Sequence, residues 1–194
     1  MSTEENGRRL VQLARDVIVR ELGGPTPVRP EGAWFDQPAA TFVTITRDGQ
    51  LHGCIGSLTP RQSLASDVEH NAIAAAFMDP RSQALRAEWL PEVGVEVTLL
   101  GPLVPMRFAD EADLLRRLEP HVDGLVLRWR LYRGTFLPQV WESLEEPRVF
   151  LNELKVKAGL PHDFWADDVE VSRFHVQKWS DRRGAARPRP RAAS

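Results

Sequence analysis

With 194 residues, 42% of them apolar and 27% charged, the chain has room for one large domain or two small subdomains that share a core, and its ordinary composition fits neither a globally disordered nor a membrane protein. No apolar run approaches the roughly 20 residues that cross a bilayer, and the start MSTEENGRRL has no apolar stretch behind its charges, so a cytoplasmic protein without membrane contact is expected. The formal charge of −2 is uneven: five arginines against Asp181 give residues 181–194 a charge of +4, which leaves −6 on residues 1–180. An acidic body lacks the clustered basic field that phosphate backbones require, so nucleic acid is not an expected partner. The single cysteine, Cys54, excludes an intrachain disulfide and a multi-cysteine metal cage.

Leu10, Leu13, Ala14, Val17 and Ile18 recur at helical spacing and predict a helix over about 6–22, stopped by Gly23-Gly24-Pro25. Pro25, Pro27, Pro30 and Gly32 make an extended loop, with Trp34 and Phe35 as its anchors. Residues 40–46 and 51–56 read as two strands joined by an Asp48-Gly49 turn. Thr59-Pro60-Arg61-Gln62 combines an N-cap threonine, a proline at the first helical position and a capping-box glutamine, so the next helix is expected to start there. Its buried stripe is Leu64, Val68, Ala72, Ala75 and Ala76, and Asp79-Pro80-Arg81 breaks it. Val93, Val95, Val97 and Leu99 alternate as a strand that Gly101-Pro102 ends, and a short helix follows over about 110–118.

Residues 125–129 and 131–137 predict two more strands, with Arg133-Gly134 near or just beyond their turn. Pro147 opens a helix that Gly159 closes. Residues 169–178 read as a last strand whose apolar parity shifts between Val171 and Phe174, the mark of a bulge. From Asp181 onward, arginine, proline and alanine predict a disordered basic tail, leaving 1–180 as the folded domain.

Leu51-His52-Gly53-Cys54-Ile55-Gly56 is an odd strand, because two glycines weaken it and leave room for a backbone or a ligand. Strict alternation sends Leu51, Gly53 and Ile55 to one face and His52, Cys54 and Gly56 to the other, with His52 and Cys54 about 6–7 Å apart. A thiol reacts as its thiolate and needs a cation, a helix N-terminus or a base nearby; His52 and the helix after Pro60 are the local candidates. The competing reading is a small buried hydrophobe.

Elsewhere, Arg81 suits either a carboxylate or phosphate ligand or a loop staple. Glu96, between Val95 and Val97, points away from the apolar face as a base or a solvated group. Gln139 suits an orienting amide or turn chemistry, and Lys157 a ligand or a helix C-terminal cation. His52, His70, His121, His162 and His175 show no metal-binding spacing, His52-x-Cys54 is half a site at best, and no phosphate or dinucleotide loop occurs. Neither a metal nor another cofactor is expected.

The blocks LHGCIGSL, NAIAAAFMDPR, PEVGVEVTLLGPL and DGLVLRWRLYRGTFLPQVWESLEEPRVFLNELKVKAGLPHDFW resemble the AMMECR domain family, in prokaryotes the AmmeMemoRadiSam system protein A, from about Thr41 to Trp179. The family's motif is usually Leu-Arg-Gly-Cys-Ile-Gly, so His52 stands where arginine is usual. Ser82 likewise replaces the phenylalanine of Asp-Pro-Arg-Phe. The resemblance implies an α+β fold, a mixed or antiparallel sheet with flanking helices, in a larger and a smaller subdomain with the cysteine motif near the cleft between them. Its name implies a Memo-like protein and a radical SAM protein as partners. Two functions then compete. In one, Cys54 performs thiol-assisted chemistry on a small molecule or partner-bound intermediate; Gly53, Ile55 and Gly56 admit the substrate, Arg81, Gln139 and Lys157 bind it, and His52 or Glu96 moves the proton. In the other, the chain is a non-catalytic binding or scaffold subunit for those partners.

Overall fold

A two-residue turn with both residues at positive φ, Asp48 at 49° and Gly49 at 74°, matches the right-handed twist of paired strands and sets the first hairpin. In the structure, a computed structural model that describes residues 2–181, this hairpin is β2 (Thr41–Arg47) and β3 (Gln50–Gly56). The chain divides into two units: one runs to Leu100 and resumes at Gln177, and the other is Gly101–Val176.

The first unit opens with α1 (Thr3–Glu21), capped by the Ser2 hydroxyl, which accepts the Glu5 amide. A one-turn helix, α2 (Ala33–Asp36), buries Phe35. Strand β1 (Pro38–Ala39) pairs antiparallel with β4 (Gln62–Ser63), and α3 (Leu64–Phe77) follows directly. Helix α3 therefore starts four residues later than the Thr59-Pro60 signal predicts. Residues 62–63 are held in a strand, so the cap passes to Ser63, whose hydroxyl accepts the Ser66 amide, while Gln62 donates to Asp67. A 3₁₀ turn over Ala87–Glu92 leads into β5 (Val93–Leu100), and the strand order of the main sheet is β10-β5-β2-β3. Val43, Ile45, Val93, Val95 and Val97 meet Leu10, Val17, Leu64, Val68 and Ala72 on one face of this sheet. Each such fully buried valine, leucine or isoleucine side chain contributes about 1.5–3 kcal/mol. Buried Asp67 joins strand to helix, accepting the amide and hydroxyl of Thr41 and the amide of the Asn71 side chain.

The second unit holds β6 (Val104–Pro105), α4 (Glu111–Arg117), β7 (Gly124–Trp129), β8 (Tyr132–Phe136), α5 (Pro147–Ala158) and β9 (Glu170–Phe174), with strand order β6-β9-β7-β8. The β7–β8 turn is Arg130-Leu131, with Arg130 at φ 51°, because Trp129 pairs with Tyr132. Gly134 lies just beyond that turn inside β8, as expected, where a Cβ would meet the Leu154 carbonyl at 2.8 Å. Trp141, in the 3₁₀ turn Pro138–Glu142, stacks on Phe150 with ring centres 3.7 Å apart. Gly159, at φ 90°, ends α5 as expected.

The expected last strand is two strands. Strand β9 belongs to the second sheet and β10 (Val176–Ser180) to the first, with His175 between them, so the parity shift marks a passage between sheets and not a bulge. Asp181, placed in the expected tail, is ordered against the first unit. Asp181 accepts from Arg15 Nε at 2.7 Å and exchanges hydrogen bonds with Val95, which ties it to the first unit; the rest of that tail lies outside the described residues.

Candidate functional site

The hairpin register decides where Cys54 points. Ile45 pairs with Gly53 but Thr46 pairs with Leu51, so His52 is the extra residue of a β-bulge. Without it, the two-residue turn would place Cys54 opposite Val43, on the core face. With it, Gly53 faces the core beside Ile45, and Cys54 lies opposite Thr44 on the other face. Strict alternation accordingly holds for Gly53 to Gly56 but fails at Leu51, which pairs with Thr46 and is 60% exposed.

Gly53 sits where a Cβ would come within 2.1 Å of the Ala75 carbonyl oxygen, so glycine lets α3 approach the strand. A Cβ on Gly56 would strike the Phe42 ring at 2.3 Å. The room these two glycines provide is taken by the protein itself. Ile55 pairs with Val43 and packs on the core.

Cys54 is half-buried, and its Sγ accepts the Thr44 hydroxyl at 3.3 Å. Thr44 also pairs with Glu96 across β2 and β5, which puts Cys54, Thr44 and Glu96 in one row over three strands. Two interstrand spacings separate the Cys54 and Glu96 backbones by about 10 Å. The expected partnership of His52 with Cys54 is not formed: the His52 ring meets the edge of Trp89 at 6.2 Å between centres, and its Nε2 is buried without a hydrogen-bond partner.

The main chain of Cys54 is clamped. Strand β3 is an edge strand, and such a strand presents unpaired N–H and C=O groups. The Cys54 amide donates to Asp79 Oδ2 at 2.9 Å, and Arg81 Nη2 donates to the Cys54 carbonyl at 3.1 Å. Arg81 also gives Asp79 its amide, Nε and Nη2, at 3.0, 2.9 and 2.6 Å. The Asp79 side chain is 1% exposed. Its Arg81 and Cys54 donors outweigh burial and hold the carboxyl far below the ordinary carboxylate range. Arg81 therefore staples the loop to the cysteine strand.

Gln139 and Lys157 belong to the second unit. Gln139 lies in the Pro138–Glu142 turn with its Oε1 buried and unpartnered, and Lys157 is exposed on α5 with Nζ 4.9 Å from the Phe136 ring centre. Beside the cysteine motif is a cavity of about 430 Å³ lined by Leu51, His52, Ser82, Gln83 and Trp89 among others; Cys54 does not line it. His52 and Ser82, the two departures from the resembled motifs, thus share one cavity. Thr44 and Asp79 escaped the sequence reading as site residues. Asp79 stands in the Asp-Pro-Arg block, but Thr44 becomes visible only once the bulge is known.

Two four-stranded antiparallel sheets with flanking helices, one carrying a clamped cysteine on its edge strand, define an α+β protein of the class that surrounds an LxGCIG strand. The family model for AMMECR1 matches residues 11–179, and the chain belongs to that family. A protein of Methanothermobacter thermautotrophicus is 36% identical over 184 residues, covering 90% of this chain and 94% of its own. A Thermotoga maritima protein is 38% identical over 149 residues, 75% of this chain and 79% of its own. The crystal structure of an uncharacterized protein from Pyrococcus horikoshii, 31% identical, superposes with a TM-score of 0.79 over 93% of both chains. Among the described residues no helix is long and apolar enough to cross a membrane.

Proposed function

We propose that this AMMECR1-family chain uses Cys54 for thiol-assisted chemistry on a small molecule or a partner-bound intermediate, as a cytoplasmic component working with a Memo-like and a radical SAM protein. The observation that supports this reading is the polar setting of the sulfur: a hydroxyl donor at 3.3 Å on a half-buried thiol whose own backbone is clamped on both sides. The hydroxyl donor and the clamped backbone together fix where the sulfur points. Glu96, beyond Thr44 in the same row, receives the thiol proton by relay through the Thr44 hydroxyl, and Arg81, with 61% of its side chain exposed, offers its outer face to an anionic substrate group.

A second reading, a non-catalytic binding subunit for the same partners, is favoured by the cavity beside the motif, which His52 and Leu51 line and Cys54 does not. Cys54→Ser separates the two. Thiol chemistry requires that turnover of the reconstituted three-component system collapse while the melting temperature barely moves, because a serine hydroxyl is a poor replacement for a thiolate. A destabilised Cys54→Ser protein that still supports turnover refutes the catalytic reading and leaves the binding subunit.

A further inference from the structure

Residues 101–176 carry ten basic residues against thirteen acidic ones, so a gathering of arginines in the second unit is not a product of its composition. Four of the ten line a single groove of about 450 Å³. Arg107 comes from the loop after β6, Arg116 and Arg117 from the last turn of α4, and Arg173 from β9. Part of this charge is answered locally. Arg116 and Arg117 share Asp113 at 3.3 and 3.0 Å, and Arg173 stands 3.9 Å from both Glu119 and Asp123.

The answer is incomplete. One carboxylate serves two guanidinium groups, Asp123 is fully buried and is also engaged by His175 Nε2 at 3.2 Å, and Arg107 has no ion-pair partner among the described residues. Each guanidinium carries five N–H donors in a fork that fits phosphate or carboxylate oxygens, and most of these donors are unused. Between the arginines the wall is apolar, formed by Met106 and Leu118 with Val104, which is half exposed.

From this arrangement we infer that the groove is a binding site for a small organic anion. Its phosphate or carboxylate end is held by Arg107, Arg116, Arg117 and Arg173, and its apolar body lies against Met106 and Leu118. The volume falls in the range of small-molecule sites, and the acidic balance of the surrounding unit denies a nucleic acid the extended basic field it needs.

Titration of the full chain by calorimetry at low salt tests this with phenyl phosphate, inorganic phosphate and phenol as probes. Phenyl phosphate should bind saturably and about tenfold more tightly than inorganic phosphate, with no binding of phenol. Arg173→Gln should weaken phenyl phosphate binding by about tenfold or more. Because Arg173 neighbours buried Asp123, the double variant Arg107→Gln/Arg116→Gln, at exposed positions, gives the same reading with the fold checked by thermal melting. Three results overturn the inference: no saturation below about 10 mM, affinity unchanged in the folded double variant, or preference for a glutamate-rich peptide over phenyl phosphate, which would assign the groove to a protein partner.

Discussion

Asp79→Asn tests whether the clamp on Cys54 holds the edge of the sheet. Oδ2 of Asp79 accepts from the Cys54 amide and Arg81 Nη2, and Oδ1 accepts from the Arg81 amide and Nε. An asparagine placed there turns an NH2 group toward two N–H donors whichever way it faces, so two hydrogen bonds to a charged acceptor are lost. Such bonds contribute about 1.5–3 kcal/mol each; because Arg81 is largely exposed and rehydrates, the expected loss at neutral pH is about 3 kcal/mol. For a chain of this size that lowers the melting temperature by about 9 °C.

The pH dependence gives the sign. A carboxyl whose folded pKa is depressed stabilises the fold above its unfolded value, near 3.9, and that contribution fades as pH falls below it toward the folded value. The asparagine variant has no such proton to bind. The stability gap between native protein and variant should therefore stay constant from pH 7 to 5 and shrink by about 1 kcal/mol by pH 3. Urea unfolding at each pH measures the gap, and amide exchange at Cys54 reports the freed edge. A gap below about 0.5 kcal/mol at pH 7, or one that does not change down to pH 3, refutes the reasoning.

Gly53→Ala should cost about 2–3 kcal/mol in urea unfolding, because its Cβ would lie 2.1 Å from the Ala75 carbonyl and helix backbone gives way poorly; a melting temperature within 2 °C of native, against the roughly 2–4 °C per kcal/mol expected, would contradict that. In the second unit, Lys155 is 1% exposed and donates to Glu111 at 2.5 Å. Glu111→Gln removes the countercharge and leaves the buried ammonium with neutral acceptors, Asn152 Oδ1 at 3.2 Å among them, and should destabilise by about 3 kcal/mol, whereas Lys155→Met, which removes the buried charge and keeps the volume, should cost about 1 kcal/mol or less. Denaturation of the two variants side by side settles the order, and the reverse order would show that the pair is not what holds Lys155.

The local chemistry of the chain was legible residue by residue. The Asp48-Gly49 turn, the alternating valines of β5, the amphipathic stripe of α1 and the Pro147 and Gly159 limits of α5 each follow from backbone preferences or apolar periodicity that act over a few residues. The matching blocks carried the family and with it the α+β fold. Tertiary structure decided what depends on neighbours distant in sequence. Pairing of Gln62–Ser63 with Pro38–Ala39 moved the start of α3, since a residue held in a strand ladder is not available as the first turn of a helix. The break at His175 divided one apolar run between two sheets.

The candidate site shows the same division. Its residue types stand in the sequence, but the bulge at His52 turned Gly53 toward Ala75 and Cys54 toward Thr44. A side-chain period of two means that one inserted residue exchanges the faces of everything beyond it, and only the approach of α3 on the core side fixes which face each residue takes.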